Sequence, residues 1–371
     1  MSVEAAAVDH SDPASLLGRM HDEIRSALTE APGVWRRCTE RAGGLSGRPQ
    51  ALVLTGCGDS FYAGLAVRQL MEHLTGVPTV VWPAMEVTTA PSCLLSPEAL
   101  LVGVSVSGKI GRTIEAVEAH AARGGRTVAV TASPTSPLAG TADVTVVTGV
   151  PGTPGPVPGT STYVASLLGL MSVGLGLSEE ARRPAVDQQV MDALGMLPDL
   201  LPEAERLARE VVGGLQEPFF AVGTGADAGT AHFAVAKFLE AAGVVGVPQD
   251  LEEWAHEQYF ATDGRRTLFL CVNDERAVAR GREVAAMAGS VGGRVVGVGL
   301  PALTDRCALG LGLPAVGAAM APLLAWLPFA EAALEYARAF SRFPFGTDRP
   351  DRMDIADRSI YVPAATAAPR S

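Results

Sequence analysis

Short apolar runs recur along the chain, each closed by a glycine-rich or hydroxyl-rich turn and followed by a stretch whose apolar positions fall three and four apart. The first run is Ala51-Leu52-Val53-Leu54, its turn Gly56-Cys57-Gly58-Asp59-Ser60, and its helix Phe61 to Leu74. Further buried strands are expected over residues 79–82, 100–105, 127–131 and 144–147, with helices between them such as 113–123. Before this series, residues 16–41 place Met20, Ile24 and Leu28 on one helical face. The proline- and glycine-rich stretch 150–159 interrupts the alternation, and helices over 162–177 and 186–212 carry the chain to a second strand, Pro218 to Val222. A second turn, Gly223-Thr224-Gly225, and a helix to Gly243 follow, then strands at 267–272, 295–298 and 315–316. Strand and helix alternating in this way form a doubly wound parallel sheet. Superposing the two Gly-x-Gly turns gives two tandem α/β modules with helices on both faces. The expected division is a disordered tail 1–15, a first module 16–178 with its N-terminal helix, a helical connector 179–214, a second module 215–345, and a C-terminal tail 346–371 lying over the active site.

Composition narrows the partners. A formal charge of −11 opposes nucleic acid. The five cysteines, Cys38, Cys57, Cys93, Cys271 and Cys307, have neither metal-ligand spacing nor an even disulfide framework, as expected in a reducing, cytoplasmic compartment. No basic, apolar leader opens the chain. The uncharged stretch 307–330 is interrupted by Pro314, Pro322 and Pro328, so a buried strand-loop-helix at a core or subunit interface is expected there and no membrane partner.

Basic residues are nearly all arginine, which suits a high-GC bacterial source; the only two lysines are Lys109 and Lys237. Arginine replaces lysine on a surface at little cost but not where a compact point charge with three donors is required. Lys237 and Glu240 are three apart and share a helix face, and the charged cluster Glu252-Glu253-Trp254-Ala255-His256-Glu257 follows Pro248. A surface ion pair would account for the first two as well. The first turn lacks the third glycine of a dinucleotide fingerprint, since Phe61 stands there, and no acidic residue closes the second strand at Trp82-Pro83. No nicotinamide, other cofactor or metal is therefore expected. Hydroxyls gather instead at Ser60, at Ser105-Val106-Ser107-Gly108-Lys109, and at Ser161-Thr162. Serine hydroxyls and free N–H groups at helix N-termini suit an anion, although each serine taken singly is as well explained as a helix cap.

Together the pieces Gly56-Cys57-Gly58-Asp59-Ser60, Ser105-Val106-Ser107-Gly108, Gly159-Thr160-Ser161-Thr162, Lys237-x-x-Glu240 and His256 resemble the sugar isomerase (SIS) family. The resemblance runs from about Met20 to Tyr361, opens on Met20-His21-Asp22-Glu23-Ile24, and is greatest to the double-SIS isomerase half of glucosamine-6-phosphate synthases. It implies two flavodoxin-like SIS modules. It also implies a sugar phosphate bound by the hydroxyl clusters, and the ligands expected here are Gly58, Asp59, Ser60, Ser105, Ser107, Lys109, Ser161, Thr162 and Glu253. In the family, the glutamate matching Glu240 moves a proton between C1 and C2, the lysine matching Lys237 lies beside it, and the histidine matching His256 assists ring opening from a neighbouring subunit, which implies a homodimer.

Three departures shape the expectation. Residues 1–15 leave no room for a glutaminase domain. Lys109 and Ile110 stand where the family's phosphate loop continues with an acid and a threonine, the first hydroxyl in register being Thr113. Asp357 or Arg358 falls where the family's tail lysine would open the sugar and form an imine. A sugar-phosphate aldose-ketose isomerase acting on a hexose or amino-sugar phosphate is expected, with Glu240 as base. The alternatives left open are an amino-sugar phosphate deaminase or deglycase on the same scaffold, and a phosphosugar sensor without turnover.

Overall fold

The computed structural model describes residues 12–89, 95–349, 351 and 360. Helix α1 (Pro13–Ala42) starts inside the stretch expected as a tail. Asp12 supplies the reason: its carboxylate accepts from the Ala14 and Ser15 amides, capping the helix ahead of Pro13. The first sheet comprises β1 (Leu52–Gly56), β2 (Thr79–Pro83), β3 (Leu100–Val104), β4 (Arg126–Thr131) and β5 (Val144–Val147), all parallel in the order β2-β1-β3-β4-β5. Its crossovers include α2 (Asp59–Thr75), the short α3 (Ala84–Thr89) and α4 (Gly111–Ala121), and α5 (Ser161–Leu177) closes the module.

A 30-residue helix, α6 (Arg183–Val212), leads to the second sheet. This sheet has β6 (Phe219–Gly223), β7 (Gly246–Asp250), β8 (Thr267–Val272), β9 (Arg294–Gly299) and β10 (Leu309–Gly312) in the order β10-β9-β8-β6-β7. Read from its other edge, that is the topology of the first sheet. Its helices are α7 (Ala226–Ala242), the short α8 (Leu251–His256), α9 (Glu275–Ser290), α10 (Pro301–Thr304) and α11 (Pro322–Ala339).

Two strands differ from the sequence expectation. The link around Pro248 is strand β7, which tolerates proline because it is an edge and leaves one side of its ladder unpaired. The last strand is Leu309–Gly312 and not residues 315–316; its alternating glycines carry little strand propensity, and pairing with β9 sets it.

The modules meet through α2 and α7. A Cβ placed on Gly229 would stand 2.5 Å from the Ala66 amide nitrogen, so the helix backbones touch there and only glycine fits. Tyr62 stacks on His232 across the same seam, with ring centroids 5.1 Å apart. One continuous core runs through both modules along α1, α2, α5, α6, α7 and α11. Arg25 of α1 binds both Glu205 of α6 and the buried Glu331 of α11, tying the first helix to the second module. Among the described residues no helix is long and apolar enough to cross a membrane.

Candidate active site

The turn after β1 passes through Gly58, whose φ of 55° and ψ of −131° suit glycine, and places Asp59 and Ser60 at the start of α2. The turn after β6 repeats this at Gly225, with φ of 61° and ψ of −122°. Parallel strands aim their carboxyl ends at one edge, so both turns open towards the crevice where such sheets bind ligands. From the second module α7 brings Lys237 and Glu240 to the Asp59 turn.

Lys237 has no exposed surface, yet its ammonium is fully engaged. It donates to Asp59 Oδ2 at 2.7 Å, to the Gly159 carbonyl at 3.1 Å and to Glu240 Oε2, while its Nζ lies 5.2 Å from the centre of the Phe233 ring. Three protons thus meet three acceptors. Burial pushes the lysine pKa down, but the two carboxylates outweigh it and hold the group above the ordinary lysine range. An ammonium so held has no lone pair and cannot act as nucleophile.

Glu240 is the opposite case. Burial raises its carboxyl, Lys237 pulls it down and Asp59 pushes it up again, leaving it at about 7. Its side chain retains 24% exposure, which tempers the shift without reversing it. Oε2 faces Lys237, so Oε1 is the oxygen that can take up a proton. A carboxylate that titrates near neutrality can both accept and return one.

The hydroxyl-bearing loops divide. Ser105 is buried at the end of β3 and accepts from the Gly108 amide at 3.1 Å; Ser107 is exposed and accepts from the Lys109 amide at 3.3 Å. Lys109 is exposed and makes no ion pair among the described residues. Helix α4 begins beside it without a side-chain cap, since Ile110 occupies that position, so its first N–H groups stay available. Ser60 and Thr162 are partly exposed.

Ser161 stands apart from this group. Its N–H and hydroxyl both donate to Glu23 Oε2, and the Glu23 Oε1 receives the Thr153 N–H at 2.8 Å and its hydroxyl. Glu23, buried on α1, thereby occupies the start of α5 that an anion would otherwise use. The sequence marked Glu23 only as part of an opening motif and gave it no role. The Gly159 carbonyl went unforeseen because backbone acceptors have no sequence signature, and so did Tyr163, whose buried hydroxyl has no partner among the described residues and whose ring stacks on Phe233 at 4.1 Å.

His256 and Glu253 are not drawn into this cluster. His256, 68% exposed on α8, pairs with Glu252 at 3.2 Å, and Glu252 in turn binds Arg280. Glu253 is exposed one turn earlier. Asp357 and Arg358 lie outside the described residues, as do Cys93, residues 1–11 and most of the expected C-terminal tail. Among the described residues no cluster of three or more histidine, cysteine or acidic side chains could hold a metal.

Residues 48–174 match the SIS domain family. The glutamine–fructose-6-phosphate aminotransferase (isomerizing) of Pseudomonas aeruginosa is 25% identical over 160 residues, which are 43% of this chain and 26% of that protein. That of Idiomarina loihiensis is 29% identical over 159 residues, again 43% of this chain and 26% of the relative. The match thus spans about a quarter of these curated relatives. Among solved structures, the C-terminal domain of glucosamine-fructose-6-phosphate aminotransferase from Francisella tularensis superposes with a TM-score of 0.76 at 16% identity, covering 87% of this chain and 96% of that one. The tagatose-6-phosphate ketose/aldose isomerase of Escherichia coli gives 0.69 at 16% identity, with 91% and 96% covered. Glucosamine-6-phosphate deaminase from Thermotoga maritima gives 0.69 at 17%, with 87% and 94% covered.

Proposed function

For a chain whose residues 48–174 match the SIS domain family and which aligns with the isomerase part of glutamine–fructose-6-phosphate aminotransferases, we propose aldose-ketose isomerisation of a hexose or amino-sugar phosphate. The observation that carries this reading is the meeting of Glu240 with a fully engaged Lys237 at the seam between modules. Isomerisation needs one group that takes a proton from a carbon beside the carbonyl and returns it to the neighbouring carbon. Glu240 Oε1 fills that role, alternating between carboxylate and acid, while Lys237 fixes the other oxygen. The phosphate lies against Ser60, Ser105, Ser107 and Thr162, with the free N–H groups of α2 and α4 supplying the positive field and Lys109 a mobile charge.

Ring opening is assigned to His256 of a second copy, because in its own chain it points to solvent beside Glu252. The active unit is then a homodimer in the cytoplasm. Sedimentation of the active protein at assay concentration tests this, and an active monomer contradicts it. A second reading, release of an amine from a ketosamine phosphate, is favoured by one observation: Lys237, one of only two lysines, is fully engaged and offers no amine for an imine.

Proton NMR in deuterium oxide with fructose-6-phosphate, glucose-6-phosphate, glucosamine-6-phosphate and a ketosamine phosphate tests both. Deuterium entering C1 or C2 of one hexose phosphate is the expected result, and ammonia or amine release from an aminated substrate selects the second reading. Binding without exchange in any of them overturns catalysis and leaves a sensor.

A further inference from the structure

We propose that Asp59 is a positioning residue that acts through Lys237, holding the ammonium neutralised and in place while Glu240 gains and loses its proton; the proposal rests on the isomerase reading above. Placed in the Gly-x-Gly-x-Ser turn, Asp59 is expected to face the sugar phosphate, where a carboxylate would repel it. The structure instead turns the side chain to the module seam. Its Oδ2 accepts from Lys237 at 2.7 Å, and its Oδ1 is sealed from solvent with no hydrogen-bond partner among the described residues.

Charge balance gives this contact a purpose. Were Glu240 the only carboxylate on Lys237, each proton it accepted would strand an ammonium that has no access to water, a state that burial strongly disfavours. With Asp59 present the lysine stays paired in both states. The C–H bond breaks, its electron pair passes into the enediolate, and the proton joins Glu240 Oε1. The triad of Asp59, Lys237 and Glu240 moves from one net negative charge to none. The hydroxyl proton passes from one enediolate oxygen to the other, and returning the carbon proton from Glu240 to the adjacent carbon restores the first state, with no oxidant or co-reactant needed.

Elements packed against α7 carry Asp59, Tyr62, Arg68, Glu72 and His73 on α2, Asp250 on β7, Cys271 on β8, and Glu331, Glu335, Tyr336 and Arg338 on α11; Tyr163 of α5 reaches Phe233, and α7 itself adds Asp227 and His232. Of these, Asp59 alone is bonded to Lys237 besides Glu240. Glu331 is committed to Arg25, and Asp227 to Asn273.

The test is Asp59→Asn, with Asp59→Glu as the variant that keeps the charge. Carbon-13 NMR of protein labelled at glutamate carboxyls, with the Glu240 resonance identified by its absence in Glu240→Gln, follows the Glu240 titration directly. In Asp59→Asn it is expected about one pH unit lower, the size of effect a neighbouring charge exerts. The acid limb of kcat/KM moves by the same amount, kcat falls at least about tenfold, KM changes by less than about twofold, and Asp59→Glu recovers the wild-type limb. An unchanged Glu240 titration in Asp59→Asn overturns the proposal, as does a rise in KM alone, which would make Asp59 a ligand of the sugar. Because the titration needs no turnover, it judges Asp59 even if wild type isomerises nothing, the outcome that would overturn the isomerase reading.

Discussion

Two turns with nearly the same backbone, after β1 and after β6, open the two modules and end in different chemistry. In the first, Asp59 reaches out of its own module to Lys237. In the second, Asp227 turns inward, 2% exposed, and takes hydrogen bonds from the Asn273 N–H at 2.7 Å and its side-chain amide at 2.8 Å. The second turn still borders a cavity of about 310 Å³, but it is lined by Thr224, Asp227, Asp274 and Arg276, with Arg276 and Asp274 already paired. The helix after the second turn supplies Lys237 and Glu240 to the site of the first. A repeated fold has thus been put to unequal use: one copy keeps a free helix start and hydroxyl loops, and the other gives Lys237 and Glu240 across the seam.

The largest break in this comparison should come from Lys237→Met. Removing the ammonium leaves Asp59 and Glu240 facing each other partly buried, and loss of one partner from a buried ion pair costs about 3–5 kcal/mol. Urea unfolding should show that loss together with loss of turnover. Glu23→Gln comes next, because its amide would place donors against Ser161 and Thr153 donors; about 1–3 kcal/mol is expected for the unsatisfied groups. A smaller KM effect should accompany it as the start of α5 shifts. In the second turn, Asn273→Ala should cost about 1.5–3 kcal/mol in stability through Asp227 while leaving kcat/KM unchanged, the contrast that defines an inactive copy. The smallest effect is that of Ser107→Ala, exposed in the first module's loop. It should raise KM for the sugar phosphate about two- to tenfold, the size of one lost hydrogen bond, with kcat intact.

Much of this arrangement was legible in the chain. Apolar runs closed by glycine turns marked the β1 and β6 units, and an almost lysine-free composition singled out Lys237. The three-residue spacing then brought Glu240 beside it. What stayed hidden required distant partners. Asp59 lies 178 positions from Lys237 and Ser161 lies 138 from Glu23, and neither pairing leaves a local pattern. Ser161 looked like an anion ligand because a hydroxyl at a helix start has the same signature whether it faces a phosphate or a buried glutamate. Strand β7 was missed because Pro248 argues against a strand everywhere except at an edge, and edges are known only once the sheet order is.

The central claim is that Glu240 moves the proton, and solvent-deuterium exchange into the sugar phosphate, measured against pH for wild type and Glu240→Gln, tests it most directly. Burial raises this carboxyl, so its base form predominates only above about 7 and is progressively depleted below it. Exchange by wild type should therefore climb as pH rises through about 7, and Glu240→Gln, which cannot ionise, should lose about 10²–10⁴-fold on the plateau above it, a gap that narrows at lower pH, while still binding the sugar phosphate. Exchange by Glu240→Gln at the wild-type rate, or a wild-type limb in the ordinary glutamate range near 4.5, would contradict the account.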